Sequence, residues 1–146
     1  MYKNGNKRLF LKTGLSQIDV AKTIVEKLEP SIEYLTYNIR RYNAPVTLVM
    51  FYSEEDISDK LKSNVRLTDV IISIKIGDSY FNSVFLIFTE EEDAYAFVKN
   101  VEYSKLGNVD NFYYYETLQS KVYNYYNFIN TYLFEIDEKK KNNDLS

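Results

Sequence analysis

The groups available for chemistry in this chain are carboxylates, hydroxyls, phenols, lysines and arginines, because it contains no histidine and no cysteine. The first absence removes the commonest general base near neutral pH and the commonest transition-metal ligand. The second removes thiolate nucleophiles, disulfides and cysteine-bearing zinc sites. Four clusters remain. Tyr52 and Glu54 follow an apolar run, and Arg66 and Asp69 set a bidentate donor three residues before an acceptor. Gly77-Asp78 sits between two β-rich runs, and Glu90-Glu91-Glu92-Asp93 opens an amphipathic stretch. Each also has a structural reading. Arg66 and Asp69 can be a local ion pair, Gly77-Asp78 a hairpin turn, and the acidic run a first helical turn meeting the helix dipole.

The elements that position these clusters can be read from periodicity. Ser16 suits an N-cap, and Ile18, Ala21, Val25 and Leu28 follow at helical spacing, widened by Val20 and Ile24. Pro30 is expected to end this helix and start a second one carrying Ile32, Leu35, Ile39 and Tyr42. Val46 to Phe51 is continuously apolar, as in a central strand covered on both faces. Ser53-Glu54-Glu55-Asp56 is expected to cap a helix bearing Ile57, Leu61 and Val65. Val70, Ile72, Ile74 and Ile76 alternate with Ile71, Ser73 and Lys75, which predicts a half-buried strand. Gly77-Asp78 turns the chain into an apolar strand from Tyr80 to Phe88, giving a hairpin. Thr89 and the acids after it read as a capping box for a helix with Ala94, Phe97, Val98 and Val101 inward.

Beyond 108, Tyr115, Leu118, Val122, Tyr125, Ile129, Tyr132 and Ile136 fall at alternating spacings of three and four, a heptad-like stripe that predicts a long aromatic helix. Asn111 to Tyr115 can instead be an edge strand, because aromatics favour strands. The stripe either covers the chain's own sheet or meets a partner. The expected class is α/β (α+β), with a central, mostly antiparallel sheet and helices packed on it. A single domain over 1–146 is expected: a loose N-terminus at 1–8, a helical lead-in at 9–43, a core at 44–103, the Tyr-rich segment at 108–136 and a frayed tail at 137–146.

With a net charge of −3 and no extended basic face, the chain lacks the phosphate-neutralising surface of a nucleic-acid binder. No apolar run reaches the roughly 18 residues of a membrane span, and the N-terminal residues lack an apolar signal core. A cytoplasmic protein with no membrane span and no nucleic-acid partner is expected.

The order of these parts resembles a GGDEF domain, the diguanylate cyclase-like family with a nucleotidyl-cyclase fold, in trimmed form. Arg40-Arg41-Tyr42-Asn43-Ala44-Pro45 before Val46–Phe51 is similar to the family's Arg-rich helix and Arg-Tyr-x-x-Pro-like turn before its first central strand. Thr13-Gly14-Leu15 is similar to its Thr-Gly-Leu opening. Arg66-Leu67-Thr68-Asp69 matches the Arg-x-x-Asp motif whose pair grips cyclic di-GMP in the family's inhibitory site, and the hairpin and Thr89 helix follow in family order. The resemblance covers about half the chain.

The departures fall on the catalytic parts. Tyr52 stands where the family's first strand ends in a metal-binding Asp, and Glu54 lies two residues further on. The stretch from Tyr52 to Asp69 is too short for both helices that the family places there. The signature hairpin, with two glycines, an acidic pair and Phe, is here Lys75-Ile76-Gly77-Asp78-Ser79-Tyr80-Phe81. Two-metal phosphoryl transfer needs paired carboxylates and close backbone access, and these residues supply neither. The resemblance therefore implies a non-catalytic regulatory or protein-interaction domain, with no catalytic or metal-binding residue and no cofactor. The alternative is a cyclic di-GMP receptor using Arg66 and Asp69, since a guanidinium binds a guanine edge or phosphate bidentately and a carboxylate accepts guanine N–H groups. A protein partner or a homodimer is expected, with Tyr114, Tyr123 and Tyr126 as its interface.

Overall fold

A computed structural model describes residues 8–42, 45–103, 113–118 and 125–145. Helix α1 (Gln17–Tyr42) leads into strand β1 (Val46–Ser53), followed by a short helix α2 (Ser58–Lys62) and strands β2 (Val70–Ile76) and β3 (Ser79–Ile87). Helix α3 (Glu91–Tyr103), strand β4 (Tyr113–Leu118) and helix α4 (Tyr125–Leu145) complete the chain. The four strands lie in the order β2-β3-β1-β4, each antiparallel to its neighbours. From β1 to β4 the described elements run β-α-β-β-α-β, two interleaved βαβ units.

Side-chain alternation divides the core into two layers. Leu48, Met50 and Tyr52 of β1, Phe81 and Phe85 of β3 and Ile74 and Ile76 of β2 pack against α1 and α4. Val49 and Phe51, with Val84 and Leu86 of β3, pack against Ile57, Leu61, Ala94, Phe97, Val98 and Val101 on the α2 and α3 side. Every residue of β1 is buried, including the polar Thr47 and Ser53, as a central strand covered on both faces requires.

Four expectations are corrected. Pro30 does not end the first helix, because α1 is one element of 26 residues. Ile24, Leu28, Ile32, Leu35 and Ile39 keep one apolar stripe in phase across Pro30, and all are buried. Each such side chain contributes roughly 1.5–3 kcal/mol on burial, which together exceeds the roughly 3 kcal/mol cost of an interior proline. The buried stripe is also rotated from the expected one: Val20 and Ile24 lie at its centre, while Ile18 and Tyr42 are exposed.

The C-terminal stripe is not one helix. Tyr113–Leu118 pairs with β1 as an edge strand, and Tyr125–Leu145 is a helix. Aromatic residues favour strands, and β1 had a free edge to fill. From α4, Phe128, Ile129, Tyr132, Leu133 and Ile136 enter the core beside α1, so this helix covers the chain's own sheet. The segment read as a frayed tail is helical through Leu145. The loose N-terminus at 1–8 lies outside the described residues except for Arg8, which pairs with Asp137 at 3.1 Å.

Candidate functional site

The candidate residues gather at the two ends of the sheet. At one end, β1 finishes beside the β2–β3 hairpin, as the register Ser53↔Tyr80 requires. The Tyr52 ring is buried against Phe81, and its hydroxyl meets Ser79 Oγ at 3.0 Å. Burial pushes the Tyr52 phenol above its ordinary pKa, so it stays neutral. Glu54 Oε1 accepts from Lys12 Nζ at 3.1 Å, and Oε2 from Lys140 Nζ at 3.4 Å. Partial burial raises the Glu54 pKa, but the hydrogen bond from Lys12 and the charge of Lys140 outweigh it and hold the carboxyl below its ordinary range. Glu54 is therefore an ionised carboxylate held by two cations.

The hairpin turn is covered. Gly77 has a φ of +61°, as a two-residue loop with glycine first requires, and Asp78 N–H donates to Lys12 O at 2.9 Å. A Cβ on Gly77 would lie 2.5 Å from Thr13 O and 2.6 Å from Lys12 O. The lid is the loop at 9–16, closed by Phe10 N–H donating to Leu15 O and by the Thr13 hydroxyl donating to Phe10 O. Phe10 anchors it by stacking near Phe81. A shallow groove of about 410 Å³ remains, lined by Lys12, Glu54, Glu55, Lys75, Asp78 and Tyr80. Its acids and lysines alternate in sign, and among the described residues no group of three or more carboxylates could hold a metal ion.

At the other end, Arg66 and Asp69 are locked together. Arg66 Nε donates to Asp69 Oδ2 at 3.1 Å, and Nη2 to Oδ1 at 2.9 Å, a bidentate pair. Asp69 also accepts the backbone N–H of Arg66 and that of Ile87, each at 3.0 Å, and is almost wholly buried. Arg66 Nη2 reaches Ile87 O at 2.6 Å and Thr89 Oγ1 at 2.8 Å. The motif therefore pins the turn before β2 to the end of β3. Thr89 does not act as the expected cap: its hydroxyl donates to Ile87 O, and α3 begins at Glu91.

Several residues at these ends were not singled out by sequence reasoning. Lys12 and Lys140 meet Glu54 across separations of 42 and 86 residues, which no local pattern reveals. Asn82 is buried in β3, donates to Phe51 O and Ser53 Oγ and accepts from Ser73 Oγ, tying three strands together. Its signal was present: Asn82-Ser83 interrupts an otherwise apolar strand. Of the expected interface, Tyr123 lies outside the described residues, and only the backbone of Tyr114, in β4, and Tyr126, in α4, is described. No helix among the described residues is long and apolar enough to cross a membrane.

The chain matches no family model, and no curated protein or solved structure aligns with it significantly.

Proposed function

We propose that this chain is a non-catalytic regulatory or protein-interaction domain on a trimmed GGDEF-like frame, with cyclase activity lost. The observation that carries the reading is the closed hairpin turn. A phosphate-cradling turn offers free backbone N–H groups and an open glycine face. Here the Asp78 N–H is used by Lys12 O, and the Gly77 face is pressed against Thr13. Tyr52 supports the same reading, because a buried neutral phenol at the end of β1 cannot hold a divalent cation as a carboxylate does. The β-α-β-β-α-β order agrees with the family frame, and the single five-residue helix between β1 and β2 agrees with a trimmed one.

The Arg66–Asp69 geometry weighs against the receptor alternative. A ligand guanine would have to displace four hydrogen bonds to Asp69 before its N–H groups found an acceptor.

The test is incubation of the purified chain with GTP and magnesium or manganese, with calorimetric titration of cyclic di-GMP in parallel. No cyclic di-GMP is expected to form, and no heat of binding is expected at high micromolar ligand. Product formation that depends on Glu54 or Asp78 would overturn the reading, and binding abolished by Arg66→Ala would replace it with the receptor.

A further inference from the structure

Leu67 and Phe88 stand out among the exposed apolar side chains. Leu67 is fully exposed at 106% and Phe88 is 67% exposed. They project from two different loops that the clamp stitches together. Leu67 sits within the turn closed by Asp69 N–H to Arg66 O, and Phe88 lies between the two residues that Arg66 bonds, Ile87 and Thr89.

Phe88 also has a φ of +53°, a backbone conformation that bulky side chains rarely adopt. It is over-determined on both sides. Ile87 N–H is held by Asp69, and Thr89 N–H by Pro45 O at 3.0 Å. Strain of this kind persists where the surroundings enforce it, and it concentrates at functional positions. The fold thus spends a buried carboxylate and a strained residue on holding two apolar side chains in water.

The charge beside them is one-sided. Glu90, Glu91, Glu92 and Asp93 are all exposed at the start of α3, directly after Phe88 and Thr89. Among the described residues no ion pair engages Glu90, Glu91 or Glu92. Arg66, which feels the charge of Asp93, is already neutralised by Asp69. A second copy of this chain would bring the same four acids face to face, and an anionic membrane would be repelled in the same way.

We propose that Leu67 and Phe88 form a docking surface for a basic amphipathic segment of a partner protein. Its apolar face would cover the two side chains, and its lysines or arginines would lie along the acidic start of α3. This inference rests on the interaction-domain reading and names its surface. The clamp then acts as the mount that holds the surface rigid, which lowers the ordering cost of binding.

The test titrates the isotope-labelled full chain with a leucine–lysine amphipathic peptide, and separately with a leucine–glutamate peptide of the same apolar pattern. The basic peptide is expected to shift the backbone amides of 66–70 and 87–95, and the acidic one to leave them unchanged. Leu67→Ser and Phe88→Gly are expected to weaken binding at least tenfold each. Phe88→Gly is the decisive variant, because glycine accepts the positive φ; its melting temperature should hold or rise while binding falls. Tyr34→Ser, on the exposed side of α1, should change nothing. Binding of the basic peptide that survives Phe88→Gly would show charge attraction alone and overturn the proposal. Absence of binding, amide shifts centred elsewhere, or flotation of the chain with anionic vesicles would also overturn it. None of these outcomes alters the GTP assay, so failure of this surface is distinguishable from failure of the non-catalytic reading.

Discussion

The two ends of the sheet use polar contacts for opposite purposes. They lie roughly 25 Å apart along β3, from the strand rise over Ser79–Ile87. At the hairpin end, the loop at 9–16 folds over Gly77 and Asp78 and takes their backbone out of reach. At the clamp end, Arg66, Asp69 and Thr89 use their hydrogen-bonding capacity on each other and on Ile87, and two apolar side chains are left facing outward. One end is sealed by a distant segment; the other is braced from within and presents a surface. Residues that match a motif therefore say little about ligands until their hydrogen bonds are accounted for.

This contrast can be broken most severely at Gly77. Gly77→Ala combines a positive φ with a Cβ 2.5 Å from a backbone carbonyl, so the lid or the hairpin must move. A loss of about 2–4 kcal/mol is expected in denaturant unfolding. A loss below about 0.5 kcal/mol would mean that the 9–16 loop lifts easily and the hairpin end is not sealed.

The clamp is next. Asp69→Ala strands the Ile87 N–H and removes the bidentate partner of Arg66, which predicts a loss of about 2–3 kcal/mol. Arg66→Ala should cost less, about 1–2 kcal/mol, because Arg66 is half exposed whereas Asp69 is buried. Equal effects would indicate a simple surface pair instead of a brace centred on the carboxylate.

The smallest effect concerns Glu54. Its folded-state pKa is depressed, so its pairing with Lys12 and Lys140 contributes stability above the ordinary glutamate pKa and loses it as pH falls through the lower folded value. Glu54→Gln should remove that acid-side dependence and cost under about 1 kcal/mol at neutral pH, since Lys12 is exposed and Lys140 partly so. Stability curves for wild type and variant that run parallel below pH 5 or so would contradict the assignment.

Much of the sheet is legible in the sequence. The continuous run Val46–Phe51, the alternation in β2 and the two-residue turn at Gly77-Asp78 each have one simple physical solution. Pro30 was misread because its local rule is strong, yet the apolar stripe through Leu28 and Ile32 stays in phase and decides the matter through tertiary burial. In the Tyr-rich segment helix and edge strand stay open in the sequence, because spacings of three and four satisfy a helix while aromatics satisfy a strand. Only the unpaired edge of β1 chooses between them for Tyr113–Leu118.

The candidate sites divide in the same way. The Arg66–Asp69 spacing was visible in the sequence, but their use by Ile87 and Thr89, 18 to 23 residues away, was not. The lid on the hairpin and the two lysines on Glu54 depend wholly on long-range packing. Phe88 carried no sequence signal as an exposed residue, because it ends an apolar strand and looks like core.

Closure of the hairpin end to nucleotide phosphate comes down to one amide. Hydrogen exchange at Asp78 N–H, followed by NMR with and without GTP and magnesium, tests it directly. The Asp78 amide, held by Lys12 O, is expected to be protected, with an exchange rate and chemical shift that do not change when nucleotide is added. A fast-exchanging Asp78 amide that shifts and becomes protected only with GTP and magnesium would contradict it.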